Sequence, residues 1–134
     1  SGMSRLSINW PPSLAPGTGA EGLTVEFHGG HRMTLPVDTA TARAGDAVEV
    51  GMRPENVTLG AGLAMNVRVL ERLGGVSITY GTMADGQRFC AALPGDAHIT
   101  EGETVGLSVN PADCHVFNAA GAVMRRRNAP ALAA

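Results

Sequence analysis

The chain has 134 residues, 44% hydrophobic and 16% charged, with a formal net charge of −2. That length suits one domain with a modest core, and the composition is that of a globular chain, not of a disordered one. Twelve acidic residues against ten basic ones exclude a general attraction to nucleic acid or anionic membranes, and all ten basic residues are arginine, which excludes any site that requires a lysine.

Ser1-Gly2 before Met3 reads as a cloning remnant. No basic start leads into an apolar run, and nothing approaches about 18 consecutive apolar residues, so neither a signal peptide nor a membrane span is expected. A soluble, cytoplasmic fragment follows as the expectation. Residues 10–22 (WPPSLAPGTGAEG) are rich in Pro and Gly, and residues 1–22 together read as remnant and junction.

From Leu23 the pattern changes. LTVEF (23–27), Gly29-Gly30 and HRMTLPV (31–37) form a candidate hairpin, with Leu23, Val25 and Phe27 alternating with Thr24 and Glu26. A polar connection through Ala44-Gly45-Asp46 leads to the strand AVEVGMR. LAMNVRVLERL (63–73) alternates as a strand over Met65, Val67 and Val69, although the spacing of Leu70 and Leu73 also admits a helical turn. VSITYGTM, Asp85-Gly86 and QRFCAAL continue a meander after Gly74-Gly75. TVGLSVN (104–110) is a further strand. HVF (115–117) and AAGAVMRR (119–126) read as a closing hairpin, and residues 127–134 as a mobile tail.

Short strands at intervals of roughly ten residues, with 18 Gly and 8 Pro and no amphipathic segment long enough for a major helix, predict a small all-β barrel or sandwich. Cys90 and Cys114 fall in different predicted strands and read as reduced, buried thiols. The core is expected to take Phe27 and Phe89.

The sharpest local signal is VGMRPENVTL (50–59), where an apolar strand runs into Arg53-Pro54-Glu55 and then resumes. Pro54 cannot donate to a ladder and forces Arg53 to be extended, so a stiff corner is predicted. In an extended segment Arg53 and Glu55 share a side and are expected to pair with each other or with a common partner.

G-x-R-P-E after an apolar strand resembles the signature of the C-terminal regulatory domain of ABC-transporter ATPase subunits of the maltose and glycerol-phosphate uptake type. VLERLGGVSITYGTM (69–83) is similar to that family's strand, Glu, Leu-Gly and strand ending in Tyr. EGETVGLSVNPADCHVFNAAGAVM (101–124) is similar to its closing Pro turn, His-x-Phe and Gly. Ser7-Ile8-Asn9-Trp10 resembles the stretch that joins ATPase to regulatory domain. Asn118 stands where an Asp often follows the Phe, and residues 11–22 have no counterpart.

The resemblance implies an OB-like β-barrel of the TOBE type over residues 23–126. It further implies a non-enzymatic domain that helps hold two ATPase subunits together and receives inhibitory signals. Structural or contact roles fall to Arg53, Pro54, Glu55, Gly74, His115, Phe117, Arg125 and Arg126. The fragment itself is expected to hold no cofactor, while ATP and Mg belong to the parent subunit. Expected partners are a second copy through that subunit, its own ATPase domain, the transporter's membrane subunits and an inhibitory regulator protein, with no nucleic acid.

Other motifs carry less. Gly17-Thr18-Gly19-Ala20-Glu21-Gly22 satisfies G-x-G-x-x-G, but a dinucleotide loop follows a strand and opens a helix, whereas here a Pro-rich loop precedes and a strand follows. A phosphate-binding loop of the ATPase kind needs a lysine. His28, His31, His98, His115 and the cysteines show no paired zinc spacing. Cys114-His115 in a strand would point to opposite faces, which disfavours a nucleophile and base. Two alternatives from other classes share the barrel. A single-stranded nucleic-acid module needs exposed stacking aromatics, of which the chain has few. A molybdate-type oxyanion barrel needs a Ser-Ala-Arg-Asn motif that is missing.

Overall fold

The computed structural model describes residues 2–10 and 22–127. Among the described residues the fold is made of nine strands, with no α-helix and only two 3-10 turns. Strands β1 (Ser4–Asn9), β4 (Ala47–Met52) and β9 (His115–Phe117) form one sheet, in the order β1-β4-β9. Strands β2 (Leu23–Glu26) and β3 (Arg32–Leu35) form a separate hairpin. Strands β5 (Val57–Arg72), β6 (Val76–Met83), β7 (Arg88–Pro94) and β8 (Thr104–Val109) form the third, in the order β7-β6-β5-β8. All pairings are antiparallel.

Alternation explains the strands. Leu23 and Val25, Met33 and Leu35, Val48 and Val50, Phe89, Ala91 and Leu93, and Val105, Leu107 and Val109 all turn inward into one continuous core. The expected places of Phe27 and Phe89 are met, both being buried.

The junction expected over residues 1–22 is corrected at its start. Ser4–Asn9 pair along their whole length with β4, from Ser4 opposite Met52 to Asn9 opposite Ala47. Leu6, Ile8 and Trp10 alternate inward and are buried. This is a core strand, and the domain begins no later than Ser4. Residues 11–21 and 128–134 lie outside the described residues, including most of the expected tail and all of the G-x-G-x-x-G match but Gly22; Arg127 itself donates its amide to Pro36 O at 2.9 Å.

β5 is 16 residues long, the element that shapes the molecule. Its register shifts twice, between Leu59 and Leu63 against β8 and between Val67 and Val69 against β6. Bulges of this kind bend and coil a strand, so β5 serves two neighbours while curling the sheet into an OB-like barrel.

The barrel closes along a seam. β7 and β1 are both edge strands, and they are joined by side chains in place of a ladder. Gln87 accepts from Ser7 N at 2.7 Å and donates to Ser7 O at 2.9 Å, while Ser4 Oγ accepts from Cys90 N at 3.0 Å. The edges are thereby covered, which blocks pairing with another chain there.

Candidate interaction surface

β4 ends at Met52, and Arg53 is extended, with φ −80° and ψ 139°. Pro54–Asn56 then make a single 3-10 turn, closed by Asn56 N donating to Arg53 O at 3.0 Å, and Val57 N donates to Pro54 O. Pro54 stands at the start of that turn, where its missing N–H costs nothing and its fixed φ suits the geometry. The predicted corner is therefore present, and it carries the chain out of the three-stranded sheet into β5.

The expected Arg53–Glu55 pairing is not made. A turn is not an extended segment, so the same-side argument lapses, and both side chains are exposed with no ion pair between them among the described residues. Arg53→Ala is expected to change stability by no more than about 0.5 kcal/mol, as at other exposed positions. A chemical-denaturation midpoint displaced by more than that would restore a bracing role.

Tertiary structure assembles part of the expected set at one place. His115 is opposite Gly51 in the β4–β9 ladder, two residues from Arg53. Arg126 returns to the same region through an isolated bridge with Val37 and a guanidinium bond to Ala112 O. Burial, then Arg126 and Arg53, hold the His115 pKa below its ordinary 6.5, with Asp113 opposing them. Arg53 and Arg126 thus both place positive charge within electrostatic reach of His115. Arg125 contributes its backbone, its O accepting from Asp38 N at 2.7 Å, and its side chain is exposed. Phe117, two residues along β9 from His115, is half-buried under Arg5, whose guanidinium carbon is 3.9 Å from the ring centroid. Gly74 is remote, at φ +82° in the β5–β6 turn, where a left-handed residue is required.

The lowered His115 pKa has a defined consequence for stability. The unfolded chain takes up the proton more readily, so His115's contribution is fully present above pH 6.5 and is lost as pH falls toward the lowered native value. His115→Gln is expected to flatten the fall in unfolding free energy between about pH 7.5 and about pH 5. An unchanged slope in the variant would rule out this coupling.

Asn118 replaces the expected Asp without loss. Its Oδ1 accepts from Ala120 N and Ala122 N, both at 3.0 Å, and its Nδ2 donates to Thr41 O at 3.3 Å. An aspartate supplies the first two bonds but not the third. Cys114 is buried and free, and burial together with Asp113 pushes its thiol up to about 11, so it stays protonated at neutral pH. Cys90, expected to be buried, is only half-buried.

Gly22 leads into β2, not into a helix whose N-terminus would face phosphates, and the chain has no lysine. Among the aromatic residues, Trp10, Phe27 and Phe89 are buried, Tyr80 is exposed and Phe117 is covered by Arg5. One concave surface was not legible in the sequence. It lies over β5, β6 and β7 and includes Arg5, Arg68, Tyr80, Thr82, Arg88 and Cys90. The only sequence signal was the polar parity of these strand positions, which does not reveal the bulge that exposes Arg68.

Residues 50–117, from the end of β4 through β9, match the TOBE domain family. The chain belongs to that family. This TOBE domain is 27% identical over 120 residues to the alpha-glucoside transport ATP-binding protein AglK of Rhizobium meliloti (strain 1021), covering 86% of this chain and 33% of the relative. It is 33% identical over 116 residues to the sn-glycerol-3-phosphate import ATP-binding protein UgpC of Chromohalobacter salexigens, covering 78% and 30%. Against the maltose/maltodextrin import ATP-binding protein MalK of Aliivibrio fischeri it is 27% identical over 107 residues, covering 76% and 29%. The chain thus spans about a third of the length of these relatives, which are the ABC-transporter ATP-binding subunits anticipated from the sequence. Among solved structures, the cytoplasmic molybdate-binding protein ModG superposes with a TM-score of 0.65 at 10% identity, covering 85% of this TOBE domain and 93% of that chain. At that identity the likeness is one of fold, and it agrees with an OB-like barrel.

Proposed function

We propose that this TOBE domain is the non-catalytic C-terminal regulatory and dimerisation domain of the ATP-binding subunit of an ABC importer, one serving sugars, polyols or glycerol phosphate. The family match over residues 50–117 carries the reading. It is supported by relatives whose names denote transport of alpha-glucosides, maltodextrins and glycerol phosphate. In this role ATP and Mg are bound by a preceding domain of the parent subunit, and the barrel holds no cofactor. The parent works in the cytoplasm, peripheral to the inner membrane. Its partners are a second copy, its own ATPase domain, the membrane subunits and an inhibitory regulator protein, and they do not include nucleic acid.

The physical logic is one of effective concentration. A dimer contact outside the ATP sites keeps two ATPase domains together while they open and close. A regulator that touches barrel and ATPase domain together favours the open state by its differential affinity.

The test is specific activity against subunit concentration, for the full parent and for a form lacking the barrel. Hydrolysis is expected to survive truncation at high concentration, where mass action replaces the tether, and to fall off at low concentration. Loss of hydrolysis at every concentration, in a truncated form shown to be folded, would overturn the reading.

A further inference from the structure

The outer face of β5, β6 and β7 holds a groove of about 850 Å³ lined by three arginines, Arg5, Arg68 and Arg88, and by no Asp or Glu. That is notable in a chain whose acidic residues outnumber basic ones twelve to ten. Arg5 is partly engaged, 3.5 Å from Glu49 and stacked on Phe117. The side chains of Arg68 and Arg88 are exposed and make no ion pair or hydrogen bond among the described residues.

Backbone geometry sets their relation. Val67 pairs with Gly81 and Val69 with Tyr80, so Arg68 is the extra residue of a bulge and is turned out onto the groove. Thr82 stands opposite Arg88 on one side and Asn66 on the other. The two arginines therefore flank β6 from strands about 10 Å apart, a span that two guanidinium arms close over one phosphoryl group. The floor is held firm by the seam: Gln87 clamps Ser7, and Ser4 Oγ takes the Cys90 amide.

We propose that this groove binds an organic phosphate of metabolite size, its phosphoryl group held between Arg68 and Arg88 with the Thr82 hydroxyl as a third donor. The volume lies within the roughly 300 to 1,000 Å³ of small-molecule sites, far more than a lone tetrahedral oxyanion fills. Tyr80 and Cys90 line the remainder for the organic part. Tyr80 is 42% exposed, and its hydroxyl donates to Glu71 at 3.2 Å, a carboxylate beyond the groove lining whose charge also reaches Cys90. A second copy is a poor occupant, because a two-fold contact through this face sets arginine against arginine. The inference concerns the barrel alone and does not depend on the role proposed for the parent.

Calorimetric titration of the whole chain at low ionic strength tests it, with glucose 6-phosphate, glucose, sulfate, citrate and a poly-glutamate peptide as probes. Glucose 6-phosphate is expected to bind at least tenfold more tightly than glucose or sulfate, and Arg68→Gln and Arg88→Gln each to weaken it by roughly tenfold. Arg43→Gln, an exposed arginine outside the groove, is expected to leave binding unchanged. Thermal melts of the variants without ligand establish that they are folded. The proposal is overturned if glucose 6-phosphate does not bind, if sulfate binds equally well, if only citrate or the peptide binds, or if folded Arg68→Gln and Arg88→Gln bind like the parent.

Discussion

Trp10→Ala is expected to destabilise the domain by about 3 to 5 kcal/mol, a large part of the stability of a barrel this size. The indole is 1% exposed, at the end of a strand whose Leu6 and Ile8 share the same core. The backbone there is tied as well, since Trp10 N donates to Asp46 O at 2.8 Å. Removing the side chain leaves a cavity that β1 cannot collapse into without leaving β4, with which it pairs over six residues. Because Trp10 is the sole tryptophan, unfolding is to be followed by circular dichroism, not by fluorescence. A midpoint equal to that of the parent would mean that residues 4–10 are a detachable junction after all.

Gly81→Ala is expected to cost at least about 3 kcal/mol, through a clash that no rotamer relieves. A Cβ at Gly81 would meet Asn66 O at 2.1 Å and Met65 Cγ at 2.8 Å. The carbonyl belongs to the neighbouring strand, so it moves only if β5 and β6 part in the middle of the four-stranded sheet. Gly75→Ala is the matched control, lying in the turn of the same hairpin with nothing within 4 Å of its Cβ. That variant is expected to stay within about 0.5 kcal/mol of the parent. Equal denaturation midpoints for the two variants would show that β5 and β6 are not as closely apposed as described.

Gly81 also marks where strand reading stops. Its place in VSITYGTM is legible as an inward position between Thr79 and Met83, but the reason only glycine fits comes from β5, whose bulge sits directly alongside. The Arg53–Glu55 expectation failed for a related reason. Extended geometry was carried one residue past Pro54, while the chain closes a 3-10 turn there. Around Trp10 the Pro- and Gly-rich run that follows obscures the alternation of Leu6, Ile8 and Trp10 that places them in the core.

By itself the sequence determined the all-β class, most strand positions, the corner at Pro54, the TOBE resemblance and the lack of a phosphate loop. Each of these rests on period-two alternation, on the backbone limits of Pro, on short motifs or on the absence of lysine, all of which act over a few residues or on composition. Tertiary structure alone decided that β1 closes the barrel against β7. It also decided that Arg53 and Arg126 lie within electrostatic reach of His115, and that a bulge sets Arg68 across β6 from Arg88. Those depend on register and sheet closure between residues tens of positions apart, where one extra residue in a strand redirects a side chain without altering the local pattern that encodes the strand.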